Sequence, residues 1–226
     1  MKLIFVADPM CSWCYGFAKE LSQLTQAYPE LPIEIVVGGV RAGETAILDD
    51  AGKRFRLEHW ERVEKLSGLP FNRDAFKARE TFVYNTEPIC RAVVTVRRLA
   101  PEANLLNVFR ALQNAFYRDG RNTIEGEVLA NVASDALAAE GIHLDEGRFL
   151  AGWQDETTVK ETAADFIKAR RWGIYSFPAL LLDVGSNVHV LSPGYASAAD
   201  LQRNLEQVLA HASTDAVVQA LDRLRS

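Results

Sequence analysis

Two cysteines separated by two residues are the strongest candidates for chemistry in this sequence. They form the motif Cys11-Ser12-Trp13-Cys14, which lies between a short apolar run and a segment with helical periodicity. Amide groups at the start of a helix stabilise a thiolate, so the first cysteine of such a pair is expected to be the nucleophile. We therefore predict that Cys11 attacks a disulfide and that Cys14, one helical turn further along, resolves the mixed disulfide.

A Cys-x-x-Cys pair also supplies two of the ligands of a zinc site. Structural zinc usually takes about four ligands, and this sequence adds only Cys90 and four histidines, with no second paired spacing. Redox chemistry is the favoured interpretation, and no metal is expected. Cys90 lies at the start of a predicted helix, where a free cysteine is usually a small buried hydrophobe. The alternative is a third thiol close to the pair.

Four other residues are candidates because of their positions along the chain. Asp8 stands three residues before Cys11 and is either a proton relay during resolution or half of an Asp-Pro turn. Trp13, between the cysteines, either shapes the access of substrate or covers the helix with apolar surface. Phe177 precedes Pro178 just before a predicted strand, and an X-Pro bond is a place where a cis peptide can occur.

The elements that position the pair are predicted from the first forty residues. Residues 3–7 form an apolar run that ends at Asp8, which indicates a buried strand followed by a turn. Apolar positions from 13 to 28 recur at helical spacing, and residues 33–37 form a second apolar run. A right-handed crossover makes the two strands parallel.

The rest of the chain divides into a helical block and a second group of strands. Apolar residues between 42 and 172 recur with the period of helices. Residues 179–184 and 188–191 indicate two strands joined as a hairpin. Two helices are predicted after them, at 197–211 and 214–224.

With these features the sequence resembles the DsbA-like branch of the thioredoxin superfamily. The resemblance rests on the Cys11-Ser12-Trp13-Cys14-Tyr15 motif, on the β-α-β and β-β-α ends of the chain, and on Phe177-Pro178 where that family has its cis-proline. It is strongest with the cytoplasmic FrnE-like proteins, whose motifs are of the Cys-x-Trp-Cys-Tyr type.

The resemblance implies an α/β, thioredoxin-like fold with a central mixed sheet and a large all-helical insertion. Residues 1–41 and 173–226 are expected to form the two halves of the thioredoxin-like domain, and residues 42–172 the insertion. A cis Pro178 is expected to pack against the cysteines and to present the backbone of Phe177 to a substrate strand.

The activity that the resemblance implies is that of a thiol:disulfide oxidoreductase, either a reductase or an isomerase. The motif holds no histidine or lysine that would stabilise the thiolate, which disfavours a strong oxidant. No tightly bound cofactor is expected, and glutathione is a candidate co-substrate. The pairs Arg97-Arg98 and Arg170-Arg171 are expected on solvated helix faces, with binding of glutathione carboxylates as the alternative.

Two other functions stay open at this point. The kappa-class glutathione transferases and the 2-hydroxychromene-2-carboxylate isomerases share the inserted helical block and bind glutathione, but typically have serine at the position of Cys11. The presence of both Cys11 and Cys14 favours redox chemistry. The other alternative is a non-catalytic module that binds peptide or metal.

The composition excludes several classes of partner. The 226 residues include 25 Lys and Arg against 30 Asp and Glu, and the net charge of -5 argues against nucleic acid as a partner. No apolar run approaches the roughly 20 residues that a membrane span needs, and the first run meets Asp8 too soon for a signal peptide. Three cysteines are too few for a disulfide framework. A cytoplasmic protein is expected, acting on a disulfide-containing protein or a small thiol.

Overall fold

A four-stranded mixed sheet lies at the centre of the fold. The computed structural model describes residues 1–185 and 187–225, and the side chains of residues 1–185 and 187–211. The strands are β1 (Lys2–Ala7), β2 (Ile33–Val37), β3 (Ala179–Asp183) and β4 (Val188–Ser192), in the order β2-β1-β3-β4. β1 is parallel to β2 and antiparallel to β3, and β3 is antiparallel to β4. The predicted mixed sheet and hairpin are therefore confirmed, although Ser186 in the turn lies outside the described residues.

Helices surround this sheet. Two short helices follow β1, namely α1 (Ser12–Gly16) and α2 (Ala18–Ala27), and α10 (Ala198–Arg225) follows β4. The helices between β2 and β3 are α3 (Asp50–Ser67), α4 (Arg73–Lys77), α5 (Glu87–Leu99), α6 (Leu105–Tyr117), α7 (Gly126–Ala138), α8 (Glu146–Gln154) and α9 (Glu156–Arg171). None of the helices in the described part of the chain is long and apolar enough to cross a membrane.

Two helix predictions need correction. The segment from 13 to 28 is divided at Phe17 into α1 and α2, and α1 crosses α3 closely. A Cβ on Gly16 would lie 2.5 Å from Cγ1 of Val63, so only glycine fits at this crossing. The two helices predicted at 197–211 and 214–224 are one continuous helix, α10, because no glycine or proline between Ala198 and Arg225 ends it.

The sheet and the helical block share one hydrophobic core. Phe5 of β1 stacks on Phe17 with 5.9 Å between ring centroids and meets the ring of Phe109 on α6 edge to face at 5.6 Å. All three side chains are at most 1% exposed. Aromatic pairs in this geometry add about 0.5–1.5 kcal/mol to the stabilisation that burial gives. β1, the strand that leads into the cysteine motif, therefore packs against α6 in this core.

Candidate active site

The two cysteines of the motif lie where β1 gives way to α1. Cys11 is the N-cap residue of α1, with an extended backbone, and Cys14 lies inside that helix. Both are free thiols. Cys11 is partly exposed, whereas Cys14 is only 1% exposed. A substrate can therefore reach the sulfur of Cys11 directly, whereas the sulfur of Cys14 is shielded from solvent.

The environment of Cys14 favours the protonated form of its thiol. Burial raises the pKa of the Cys14 thiol well above its ordinary value, and the hydrogen bond and negative charge of Cys11 raise it further. The two thiols therefore do not ionise together. This asymmetry suits a pair in which the exposed sulfur attacks first and the buried one follows.

The loop before β3 closes over the pair. The Cys11 thiol donates a hydrogen bond to the backbone oxygen of Phe177, with 3.5 Å between the sulfur and that oxygen. The peptide bond between Phe177 and Pro178 is cis, as the resemblance implies. The ring of Phe177 packs on Gly38, where any Cβ would overlap it. Glycine at position 38 therefore makes room for the loop that contacts Cys11.

Asp8 is fully buried behind the motif. Its carboxylate accepts hydrogen bonds from the backbone N–H groups of Met10, at 2.8 Å, and Val40, at 2.7 Å. Burial raises the pKa of Asp8 above its ordinary range, and hydrogen bonds from the Thr86 hydroxyl, these two amides and the Cys90 thiol offset part of that effect. Asp8 is thus a carboxyl group that holds its proton more readily than an exposed one.

Cys90 lies on α5 beside Asp8. It is fully buried, as the simpler of the two interpretations expects. Burial and the nearby charge of Asp8 raise the pKa of its thiol well above the ordinary value. Cys90 therefore contributes a neutral thiol to the surroundings of Asp8.

Trp13 is held by residues from two distant parts of the chain. Its indole Nε1–H donates a hydrogen bond to Nδ1 of His59 on α3, at 3.2 Å. The ring of Tyr195 meets the indole edge to face, with 6.0 Å between centroids. Trp13 is partly buried and packs against the main core, so both interpretations of its position retain support.

A cavity of about 150 Å³ opens beside Cys11. Cys11 and Ser12 form one wall, and the opposite walls hold Arg41, which follows β2, and Arg56 and His59 on α3. Arg56 donates a hydrogen bond to the backbone oxygen of Gly52, at 3.0 Å. Among the described side chains, neither arginine forms an ion pair with a carboxylate. The cavity therefore offers two cationic groups next to the reactive sulfur.

Comparison with known proteins identifies the family. No family model matches the chain, and no curated protein matches it either. Among solved structures, a protein from Nitrosomonas europaea, provisionally described as a protein disulfide isomerase, has a TM-score of 0.82 and 32% sequence identity. The match covers 93% of this chain and 99% of that chain. The chain belongs to the DsbA-like branch of the thioredoxin superfamily.

Two further structures bear on this DsbA-like chain. The cytosolic disulfide reductase DsbM from Pseudomonas aeruginosa, in a structure with GSH, has a TM-score of 0.71 and 25% identity over 93% of this chain and 100% of that chain. A 2-hydroxychromene-2-carboxylate isomerase has a TM-score of 0.62 and 16% identity over 97% of this chain and 99% of that chain. At 16% identity the second match shows the fold alone.

The residues predicted for a DsbA-like site come together at one end of the sheet. Asp8, Cys11 and Cys14 follow β1, and the loop with Phe177 and Pro178 reaches the same place from β3. In the described part of the chain, no group of three or more His, Cys, Asp or Glu side chains is arranged to hold a metal ion.

Sequence reasoning missed the groups on the cavity wall opposite Cys11. Carboxylate binding by Arg97-Arg98 or Arg170-Arg171 stays a prediction, and Arg97 and Arg98 are each in an ion pair within this chain. Arg97 pairs with Asp165 at 2.8 Å, and Arg98 pairs with Asp155 at 3.2 Å. Arg41 and Arg56 are the arginines beside the thiol, and no local pattern distinguishes them from other surface charges.

Proposed function

We propose that the protein is a thiol:disulfide oxidoreductase, a reductase or isomerase, that works through the Cys11–Cys14 dithiol. The observation that carries this function is the pairing of a partly exposed sulfur with a buried one where β1 meets α1. The 32% identity to the Nitrosomonas europaea protein supports it. The enzyme names of the relatives agree with this chemistry.

The reaction transfers two electrons to the substrate. The Cys11 thiolate attacks one sulfur of the substrate disulfide, and the second substrate sulfur leaves as a thiolate that takes up a proton. Cys14 then loses its proton and attacks the Cys11 sulfur. The Cys11–Cys14 disulfide forms, and the first substrate sulfur leaves as the second thiol. The protein is oxidised and the substrate disulfide is reduced. Two molecules of a small thiol such as glutathione then restore the dithiol and leave joined as their own disulfide.

We assign to Asp8 the role of accepting the proton of Cys14. The negative charge of Asp8 makes a small contribution to the raised pKa of Cys14, so the two groups interact electrostatically. A buried carboxylate with a raised pKa is a better base near neutral pH than an exposed one. Asp8 therefore accepts the Cys14 proton as that sulfur attacks, and returns it when the dithiol is restored.

Phe177, Pro178 and Trp13 form the proposed surface for the substrate. The backbone oxygen of Phe177 accepts a hydrogen bond from Cys11 in the reduced protein. The backbone of Phe177 is therefore within reach of a chain segment bound at that sulfur. Trp13 lies between the cysteines, where its indole borders the same surface.

Arg41 and Arg56 favour a small anionic thiol as the partner that restores the dithiol. Glutathione carries two carboxylates, and a guanidinium recognises a carboxylate through paired N–H groups. Glu44 is near enough for both arginines to lower its pKa, after the larger effect of its bonds to the amides of Ala46 and Thr45. It forms no ion pair with either arginine within the described residues. The structure of DsbM with GSH supports the same partner.

We also propose the domain arrangement and location that the resemblance implies. Residues 1–41 and 173–226 form the thioredoxin-like domain, and residues 42–172 form its helical insertion. A cytoplasmic location agrees with the low, odd number of cysteines and with the cytosolic relative DsbM.

The test is the oxidation of the full chain in glutathione redox buffers. We expect a Cys11–Cys14 disulfide to form, with mass and thiol counts showing the loss of two thiols, and with a midpoint near or below the cytosolic poise of roughly -220 to -320 mV. Cys90→Ala is the matched control, because it removes a cysteine outside the pair and should leave the same disulfide. A midpoint near -120 to -180 mV would favour an isomerase or oxidant.

The failure of that disulfide to form would overturn the redox function. Binding of glutathione without oxidation would then favour the transferase or isomerase alternative. The fold similarity to the 2-hydroxychromene-2-carboxylate isomerase keeps that alternative in view. A chain that neither forms the disulfide nor binds glutathione would be a non-catalytic binding module.

A further inference from the structure

The hydrogen bond between Trp13 and His59 requires the histidine to be neutral. An indole N–H can only donate, so Nδ1 of His59 must accept. That nitrogen has a lone pair only when the imidazole carries no proton there, which leaves the single proton of a neutral ring on Nε2. The observed distance of 3.2 Å between Trp13 Nε1 and His59 Nδ1 therefore belongs to neutral His59.

The two ends of this bond differ in how firmly they are held. α3 is anchored in the core by Trp60, which is 1% exposed and lies 4.5 Å from Phe76 between ring centroids. Trp13, by contrast, is partly exposed, and its contacts include the bond to His59 and the ring of Tyr195. His59 therefore contacts the indole beside the dithiol from a helix that is anchored in the core.

The surroundings of His59 keep it neutral near pH 7. Burial and the charge of Arg62 lower the pKa of His59, and Glu58 opposes them with a smaller effect. The groups that face the same cavity are Arg56 on α3, Cys11 at the start of α1, Arg41 after β2 and Tyr84 before α5.

We infer that His59 is a positioning residue, which holds the indole of Trp13 beside the Cys11–Cys14 pair while neutral and releases it when protonated. This role rests on the proposed oxidoreductase function. With the indole held, a substrate disulfide meets one shape of surface around Cys11. Protonated imidazole has two N–H donors and no acceptor, so the indole N–H loses its partner and faces another donor. Acidification then removes a hydrogen bond of the motif, while both cysteines remain in place.

The test compares two variants that differ in the acceptor. The side-chain oxygen of asparagine takes nearly the place of Nδ1, so His59→Asn keeps an acceptor that does not titrate. His59→Leu keeps the volume and removes the acceptor. A neutral hydrogen bond contributes about 1 kcal/mol, which corresponds to about fivefold. We expect the second-order rate constant for oxidation of the pre-reduced protein by oxidised glutathione at pH 7.5 to fall about fivefold in His59→Leu and by no more than about twofold in His59→Asn.

The pH dependence separates this role from a merely structural one. The ratio of the variant to the wild-type rate constant removes the pH dependence that the two forms share. For His59→Asn the ratio should rise as pH falls from 7.5 to 5, because only the wild type loses its acceptor. A ratio that is independent of pH, or an undiminished rate in His59→Leu at pH 7.5, would overturn the inference.

The hydrogen bond can also be followed by NMR, without measuring a reaction rate. The indole N–H resonance of Trp13, identified by its loss in Trp13→Phe, should shift with pH in the wild type and stay constant in His59→Asn. A shifting resonance with unaffected rates would refute the positioning role and leave the oxidoreductase function intact. Turnover that survives Cys11→Ser would refute the oxidoreductase function, and the inference with it.

Discussion

The two sides of the dithiol differ in the residues that surround them. On the outer side, Cys11 faces a cavity of about 150 Å³ whose far wall carries Arg41, Arg56 and His59. On the inner side, Cys14 is buried and interacts with the buried carboxyl group of Asp8. The outer side is open and cationic, whereas the inner side is dry and acidic. We propose that substrate recognition and proton handling are separated in the same way.

The sharpest test of this division replaces the cysteines themselves. We expect Cys11→Ser to lower the turnover of a disulfide substrate by at least about a thousandfold, because it removes the nucleophile. Cys14→Ser should instead accumulate a mixed disulfide on Cys11, since the first attack proceeds and the second cannot. Mass spectrometry of the protein after incubation with oxidised glutathione would detect this adduct. Full turnover in both variants would show that the dithiol is not the catalyst.

The inner side is tested by Asp8→Asn. General base catalysis contributes about 10²–10⁴-fold, so we expect the mixed disulfide on Cys11 to resolve about a hundredfold more slowly. The first attack should change far less, because Asp8 handles the Cys14 proton. Rapid-mixing measurements of the two steps would separate them. Equal slowing of both steps would contradict the assignment of Asp8 to the inner side.

The same residue predicts how stability varies with pH. Because the pKa of Asp8 is raised in the folded protein, the folded state binds its proton more tightly than the unfolded state does. The ionisation of Asp8 therefore costs stability that is absent below about pH 4 and grows as pH rises to the folded pKa. The free energy of unfolding of Asp8→Asn should accordingly increase relative to wild type over that window, as measured by denaturant titration.

The inner side could be predicted from the sequence because its parts are neighbours along the chain. An apolar run, Asp8 and the Cys-x-x-Cys motif follow one another, so the strand that ends at Ala7 delivers them together. The strands were predicted to within a residue or two for the same reason, since period and turn residues are local signals. The close crossing of α1 with α3 was not predicted, because it brings together residues that are distant along the chain.

The outer side could not be predicted, because tertiary packing assembles it. Arg56 and His59 lie on a helix that starts 39 residues after Cys11 at Asp50. Helical periodicity identifies α3, but it does not say which of its polar residues lies over the motif. His59 was one of four scattered histidines with no spacing that suggested a role. Only the packing of α3 on α1 distinguishes it from the others.

Removing the charge on the outer side should change substrate preference more than chemistry. Hydrogen bonds to charged groups contribute about 1.5–3 kcal/mol, so we expect Arg56→Gln to lower the rate constant for oxidation of the pre-reduced protein by oxidised glutathione about tenfold. The rate with a neutral small disulfide such as hydroxyethyl disulfide should change by less than about twofold. Arg54→Gln is the matched control, because Arg54 is exposed on the same helix and does not line the cavity. Equal losses with both disulfides would refute recognition of an anion.

The smallest expected effect concerns the third cysteine on the inner side. The Cys90 thiol contributes a hydrogen bond that lowers the pKa of Asp8, and the Thr86 hydroxyl contributes a larger one. Removing either donor should raise the pKa of Asp8 and move the pH profile of resolution towards higher pH.

Because a thiol is a weak donor, we expect Cys90→Ala to change the rate of resolution at a given pH by no more than about twofold. Thr86→Val should move the profile in the same direction and further. A shift towards lower pH would contradict the contact between Cys90 and Asp8. Loss of turnover in Cys90→Ala, with the fold intact by circular dichroism, would instead make Cys90 a third redox thiol and extend the inner side from proton handling to electron transfer.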